Sequence, residues 1–134
     1  MIYLDSCALI KLLRVEPETR ALRLWLAERS EAGLVTSALS RVEVLRTLHR
    51  HLPHVDALTR AAVNRLFAAV DVYDITEEIL DRAAAYPHPH LRTLDAMHLA
   101  TAEELRSELI AVVTYDKRLI DVATEAGLTV SHPN

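Results

Sequence analysis

Residues 110 to 116 read Ile110-Ala111-Val112-Val113-Thr114-Tyr115-Asp116, a short apolar run that closes on a hydroxyl and then an acid. Ile110 to Thr114 is the best strand in the chain. It does not alternate with polar residues, as expected of a strand covered on both sheet faces, so it is read as central and parallel. Working outward, Thr93 caps a helix from Leu94 to about Arg106, and a second helix runs from Arg118 to Ala126. That helix stops on Gly127, and Leu128 to Val130 forms the closing strand. Upstream, Ile2 to Asp5 reads as a first strand, with a short helix from about Ala8 to Leu13. Pro17 opens another helix through Trp25 to about Ser30, and Gly33 ends it before a strand at Leu34 to Thr36. Ser37 caps a helix whose apolar face is Leu39, Val42, Leu45 and Leu48, broken at Pro53. Asp56 caps the next, with Leu58, Ala62, Leu66 and Val70 in helical spacing. Val72 to Ile75 is a third strand, and Thr76, Glu77 and Glu78 begin a helix with acid at its positive end. The loop Tyr86-Pro87-His88-Pro89-His90 is rigid, because proline fixes φ twice. Strands alternating with helices predict an α/β domain with a parallel sheet.

The chain has 134 residues, the size of a single domain spanning 1–134. Apolar residues make up 51%, charged residues 25%, and the mean hydropathy is +0.11, a balance that excludes disorder. The longest apolar runs, Leu66 to Val70 and Leu109 to Val113, are far short of a membrane span. Asp5 interrupts the first apolar stretch and no basic leader precedes it, so no signal peptide is expected. Cys7 is the sole cysteine, which rules out an internal disulfide or a cysteine-based zinc site. A soluble, reduced, cytoplasmic protein is the expectation.

There are only two glycines, Gly33 and Gly127. Loops that cradle phosphates need several, so dinucleotide and P-loop cofactors are excluded. Ala and Leu supply 41 residues, and most of the chain should be helical. A net charge of -4 argues against a broad nucleic-acid surface, although a local arginine rim around a bound cation is compatible with it. The segments Glu31–Ser37 and Glu125–Ser131 are nearly identical; both solve the same problem of stopping a helix on glycine before a strand.

In a parallel α/β sheet, ligands bind beyond the carboxyl ends of the strands, where strand order reverses. Four acids fall on that rim. Asp5 ends the first strand, Asp116 follows the best strand, Glu43 lies in the second turn of the helix after Ser37, and Asp95 lies in the first turn of its own helix. Each alone has an ordinary reading as a turn or helix-end acid. Together they conflict, since two carboxylates 4 Å apart repel by about 4 kcal/mol at an effective dielectric near 20. A site that gathers four must protonate some or bind a cation, and oxygen ligands favour Mg²⁺ or Mn²⁺.

Asp5-Ser6 after an N-terminal strand, Ser40-Arg41-Val42-Glu43 on a helix, Leu94-Asp95-Ala96-Met97-His98-Leu99-Ala100, and Thr114-Tyr115-Asp116 together resemble a PIN domain. The chain is most similar to the VapC toxins of bacterial and archaeal toxin–antitoxin pairs, and the resemblance covers essentially its whole length. Each motif is common by itself; the four in register are specific. The resemblance implies a parallel sheet sandwiched by helices in three α/β/α layers and a metal-dependent endoribonuclease leaving 5′-phosphate and 3′-hydroxyl ends. It makes Asp5, Glu43, Asp95 and Asp116 the catalytic, metal-binding acids, with Ser6 and Thr114 lining the site. It also implies a homodimer and a cognate VapB-like antitoxin whose C-terminal segment covers the cleft. Cys7 departs mildly from the pattern, standing where small hydroxyl residues are frequent.

Other features weigh less. His51 and His54 are separated by Pro53, and His88 and His90 lack a cysteine nearby, so all are read as surface or loop histidines rather than zinc ligands. His98 shares a helix face with Asp95 and is a third candidate to line the site; it either contacts substrate or packs and orients, the second reading being favoured. Arg46 and Arg50 share a face of the Glu43 helix with Arg41 close by, and either meet RNA phosphates or form a solvated stripe. Trp25 belongs to a core or dimer face with Leu22 and Leu26. Two other classes remain open: a catalytically inactive PIN-fold binding subunit, and an aspartyl-phosphate module. The second is disfavoured because Cys7 stands where such phosphatases carry a second acid.

Overall fold

The computed structural model describes residues Met1 to Asn134. Five strands run at Ile2–Leu4 (β1), Leu34–Ser37 (β2), Asp71–Tyr73 (β3), Ala111–Val113 (β4) and Val130–Ser131 (β5). Seven helices run at Ser6–Leu13 (α1), Thr19–Ala27 (α2), Leu39–His51 (α3), Ala57–Ala68 (α4), Glu77–Ala85 (α5), Thr93–Glu104 (α6) and Lys117–Glu125 (α7). A single 3₁₀ turn at Arg106–Glu108 links α6 to β4. The sheet is parallel throughout in the order β3-β2-β1-β4-β5.

Tyr3 and Ile2 pair with β2 on one side and β4 on the other, so β1 holds the centre. The expectation that residues 110–114 form the central strand is corrected by one place. Flanked by β1 and β5, β4 is interior and parallel but not central. Ile110 stays outside it and is 52% exposed.

Two apolar cores lie on opposite faces of this sheet, and β1 feeds both because successive strand side chains point to opposite sides. Ile2 and Leu4 pack with Leu9 of α1, Leu22 of α2, Val44 and Leu48 of α3 and Val63 of α4. Tyr3 packs the other way, with Leu99 and Ala102 of α6 and Leu119 and Ala123 of α7. The result is the expected three-layer α/β/α sandwich.

Local chemistry sets most of the helix ends. The side chains of Asp5, Asp56, Thr76 and Asp116 each accept from a backbone N–H of the first turn that follows. Gly127 takes φ 79°, the left-handed conformation that stops α7. Three expectations about helices need correction. Ser37 belongs to β2, although its hydroxyl still accepts from Leu39 N at 3.2 Å. Thr93 lies inside α6, with Arg92 at the cap position and no side-chain capping bond. The buried face of α3 is Ser40, Val44 and Leu48, while Val42 is 58% exposed. A polar Ser40 faces inward because the neighbouring Thr36 and Ser6 give its hydroxyl partners, which an apolar periodicity does not register.

The element order places the reversal of strand order between β1 and β4. The chain winds from β1 outward to β3, then returns to start again at β4 on β1's other side. The carboxyl ends of β1 and β4 therefore open a crevice with a helix N-terminus following each.

Candidate active site

Asp5 and Asp116 flank that crevice. Asp5 is 3% exposed, and its Oδ1 accepts from Ala8 N at 2.8 Å, which starts α1. Thr114, fully buried at the end of β4, donates from Oγ1 to Asp5 Oδ2. The same Thr114 oxygen accepts from Asp116 N at 3.1 Å. Asp116 Oδ1 accepts from Leu119 N at 3.0 Å and starts α7. One hydroxyl thus ties two acids together, each at the positive end of its own helix.

Glu43 enters from α3. Its Oε1 accepts from Ser6 Oγ at 2.6 Å and from His98 Nε2 at 2.6 Å. Ser40 lies 3.2 Å from Ser6 and 2.7 Å from Thr36, whose hydroxyl donates to Leu4 O at 2.7 Å. His98 continues inward, its Nδ1 2.7 Å from the Tyr3 hydroxyl. Every buried side-chain polar atom of the protein has a partner. Asp95 occupies the first turn of α6, half-buried, and makes no hydrogen bond that would hold its carboxylate.

The electrostatics show how close the acids lie. Burial raises the Asp5 carboxyl above the ordinary range, and the Glu43 charge adds to it, against the pull of His98 and Thr114. Burial also raises Asp95, reinforced by the charges of Asp116 and Glu43. Burial pushes Glu43 up, but the His98 hydrogen bond and charge, with Ser6, outweigh it and hold the carboxyl below its usual value. Burial alone would lower His98; the bond to Glu43 and the surrounding acids raise it instead. Cys7, at the exposed rim, reports on the whole group. Desolvation of its thiol and the charges of Asp5, Asp116, Glu43 and Asp95 push it up to about 12. The charges of all four sequence-predicted acids therefore reach one sulfur.

This donor set matches the chemistry of a hard divalent cation: carboxylate oxygens from four elements, two of them with pKa raised by burial and by neighbouring acids. As they stand, no three His, Cys, Asp or Glu side chains are grouped tightly enough to grip an ion together, so the acids line a cleft rather than form a closed cage. Asp5, Glu43, Asp95 and Asp116 are the residues that would hold it.

A groove of about 440 Å³ leads away from Ser6, Cys7 and Glu43 between α1 and α3. Arg46, Thr47 and Arg50 line it along the Glu43 face of α3, and Arg92 closes it from the cap of α6. None of these three arginines is ion-paired to a carboxylate. Arg41 lies apart, with its guanidinium 5.8 Å from the Phe67 ring centre. Arg92, Tyr3 and Ser40 were not singled out by sequence reasoning as site components. The usable signal for Ser40 is its spacing, three residues before Glu43 on one helix face.

The remaining histidines sit apart from the cleft acids. His49, His51, His54, His90 and His132 are exposed, and His88 lies 3.9 Å from Glu125. Trp25 is covered by Arg29, whose guanidinium stands 4.0 Å from its ring centre, while its other side packs on the core.

A family model described as PIN domain matches residues 2–125. Ribonuclease VapC35 of Mycobacterium tuberculosis is 44% identical over 135 residues, covering 99% of this chain and 97% of that protein. Among solved structures, M. tuberculosis VapC20, described as a sarcin–ricin loop cleaving toxin, superposes with a TM-score of 0.73 at 19% identity, covering 99% of this chain and 100% of that one. A toxin–antitoxin complex from Klebsiella pneumoniae gives a TM-score of 0.71 at 24% identity, covering 100% of this chain and 98% of that chain. These two likenesses establish the shared fold.

Proposed function

The chain belongs to the PIN-domain family, and from that premise we propose that it is a metal-dependent endoribonuclease, the toxin of a VapBC-type toxin–antitoxin pair. The observation that carries the reading is the convergence of Asp5, Glu43, Asp95 and Asp116 around Cys7 at the crevice between β1 and β4. Its 44% identity to a protein named as a ribonuclease, over nearly the full length of both, supports the same activity.

In this mechanism the four acids hold Mg²⁺ or Mn²⁺. When bound, such a cation lowers the pKa of water and neutralises charge that builds on the phosphoryl oxygens. Asp5 and Asp116 are fixed by their own helix N-termini and by Thr114, so their remaining oxygens point where the backbone dictates. Glu43 is fixed by Ser6 and His98. Asp95, which has no hydrogen bond to hold its carboxylate, would be the acid freest to adjust to a bound cation. Arg46, Arg50 and Arg92 offer planar forks to the phosphates of a single RNA strand passing through the groove. Hydrolysis leaves 5′-phosphate and 3′-hydroxyl ends.

The same reading extends to assembly. A cognate VapB-like antitoxin covers the cleft, and the toxin is a cytoplasmic homodimer in which residues 1–134 form one ribonuclease domain. The likeness to a chain from a toxin–antitoxin complex supports the partner. No helix is long and apolar enough to cross a membrane.

The deciding experiment is cleavage of total RNA by the purified protein in Mg²⁺ or Mn²⁺ against EDTA, beside Asp95→Ala and Asp116→Ala. Metal-dependent cutting that both substitutions abolish is the expected result. No cutting by folded, metal-supplied, partner-free protein overturns the reading in favour of a binding subunit.

A further inference from the structure

Tyr3 and His98 come from opposite ends of the sequence and meet beneath the cleft. Tyr3 is fully buried in the central strand, and His98 is 2% exposed on α6. Their rings meet edge to face, 6.0 Å between centres at 75°. The hydroxyl of Tyr3 lies 2.7 Å from Nδ1, and on the other side of the ring Nε2 lies 2.6 Å from Glu43 Oε1. Glu43 itself belongs to α3, in the helical layer on the opposite face of the sheet. A three-residue line of polar contacts therefore crosses from one helical layer to the other over the carboxyl end of β1.

The chemistry of the three groups fixes their orientation. An ionised carboxylate only accepts, so Nε2 carries a proton whatever the charge on the ring. Nδ1 is then satisfied by the Tyr3 phenol, which can donate or accept. With Ser6 also donating to Oε1, that oxygen has both its lone-pair directions used. Oε2 takes no protein hydrogen bond and is the oxygen left to face the cleft. An unrestrained Glu side chain would sample many rotamers; this one is held at its terminal oxygen by two partners that are themselves buried.

We propose that His98, oriented by Tyr3, is a positioning residue that reserves Glu43 Oε2 for the cation while holding Oε1 out of the coordination sphere. This rests on the reading of Glu43 as a cation-holding acid. In this arrangement His98 acts through its bond to Glu43 first, with Ser6 Oγ 3.3 Å from the same Nε2 and its charge also felt by Asp5, and Tyr3 acts through His98.

The test is Mn²⁺ binding by titration calorimetry, read separately from RNA cleavage, for wild type, Tyr3→Phe, His98→Leu and His98→Gln. Folding is checked by circular dichroism and melting in EDTA. Tyr3→Phe removes a single oxygen and keeps the ring, so it tests the idea even where His98→Leu fails to fold. Partners that orient metal ligands typically change affinity about 10- to 100-fold when removed. We expect His98→Leu to weaken Mn²⁺ binding by about 10-fold or more and Tyr3→Phe by less. His98→Gln, which can still present an N–H to Glu43, should recover part of the loss. Cleavage should fall in kcat with KM for RNA unchanged, read per folded molecule from the melting check, since loss of folded protein alone would lower apparent kcat while leaving the Mn²⁺ affinity of the folded fraction as in wild type. Mn²⁺ binding equal to or tighter than wild type in folded Tyr3→Phe and His98→Leu overturns the proposal. A wild-type protein that takes up no Mn²⁺ overturns the reading of Glu43, and the proposal with it.

Discussion

The hydroxyl of Thr114 donates to the buried Oδ2 of Asp5 across the boundary between β4 and β1. Both residues are almost entirely sealed from solvent, so this bond has no water to replace it. Thr114→Val keeps the shape and removes the donor. The expected cost is about 1–3 kcal/mol from an unsatisfied buried carboxylate, measured by urea melts at neutral pH in EDTA. An unchanged melting midpoint would mean that Asp5 finds another partner.

Asp5 trades stability for its position in the cleft. Its folded pKa lies above the ordinary value of 3.8, as does that of Asp95, so the folded state holds protons that the unfolded chain has released. For these two groups stability falls as pH rises from the unfolded value through the raised folded one, and the loss is complete once pH has passed the folded value. His98, also raised, adds stability that is full below its ordinary 6.5 and lost as pH rises through its folded value. Glu43 has the opposite sign: its lowered pKa gives stability above the unfolded value that is lost in acid. Metal-free protein should therefore lose stability as pH rises from the ordinary carboxylate range through the raised folded values of Asp5, Asp95 and His98, and Mg²⁺ should reduce that decline. Denaturant melts across this range, with and without the cation, check it.

Asp5→Asn should separate stability from function. The amide oxygen can still cap α1, while the buried charge is gone. We expect the metal-free protein to gain about 0.5–2 kcal/mol at neutral pH and RNA cleavage to be lost. A destabilised variant would show that the ionised carboxylate is itself a structural anchor.

Cys7 offers a probe of the acid cluster that needs no RNA. With its thiol pushed up to about 12, it is exposed yet should react slowly with thiol reagents. At pH 8 only about one part in ten thousand is thiolate, against roughly one in four for a free cysteine with a pKa near 8.5. Labelling by a chromogenic disulfide should be slow in EDTA and faster once Mg²⁺ neutralises the acids. Asp95→Asn or Asp116→Asn should accelerate it in EDTA. Labelling at the rate of a free cysteine would contradict the convergence of the four charges.

Arg46 and Arg50 stand one and two turns beyond Glu43 on the same face of α3, without acidic partners. Replacing either with Ala should weaken RNA binding and lower the salt-dependence slope by about 1 each, with kcat retained at saturating RNA. Fluorescence anisotropy on an Asp95→Asn background, across a salt series, measures it.

What was legible beforehand was legible for local reasons. Asp56 and Thr76 start helices through bonds to amides three residues away, as read from the sequence, and Gly127 stops one through its own backbone angle; that Asp5 and Asp116 do the same as Asp56 and Thr76 was not read beforehand. The four acids could be placed on one rim because a parallel α/β topology puts every strand's carboxyl end on the same side. What escaped prediction was non-local. The central place went to β1 rather than β4, which depends on which strands pair and not on how apolar each is. The inward face of α3 turned on Ser40, whose partners Thr36 and Ser6 come from other elements.

The chain alone therefore determined the elements and their α/β order and nominated the four carboxylates, since these follow from residue type and spacing within a few turns. Only the tertiary structure decided how those carboxylates are held. Thr114 reaching Asp5, and Tyr3 reaching Glu43 through His98, join residues 109 apart in one case and 95 and 55 apart in the other. Such bonds form because the packed sheet excludes water and leaves each buried donor no partner but the one the fold brings to it.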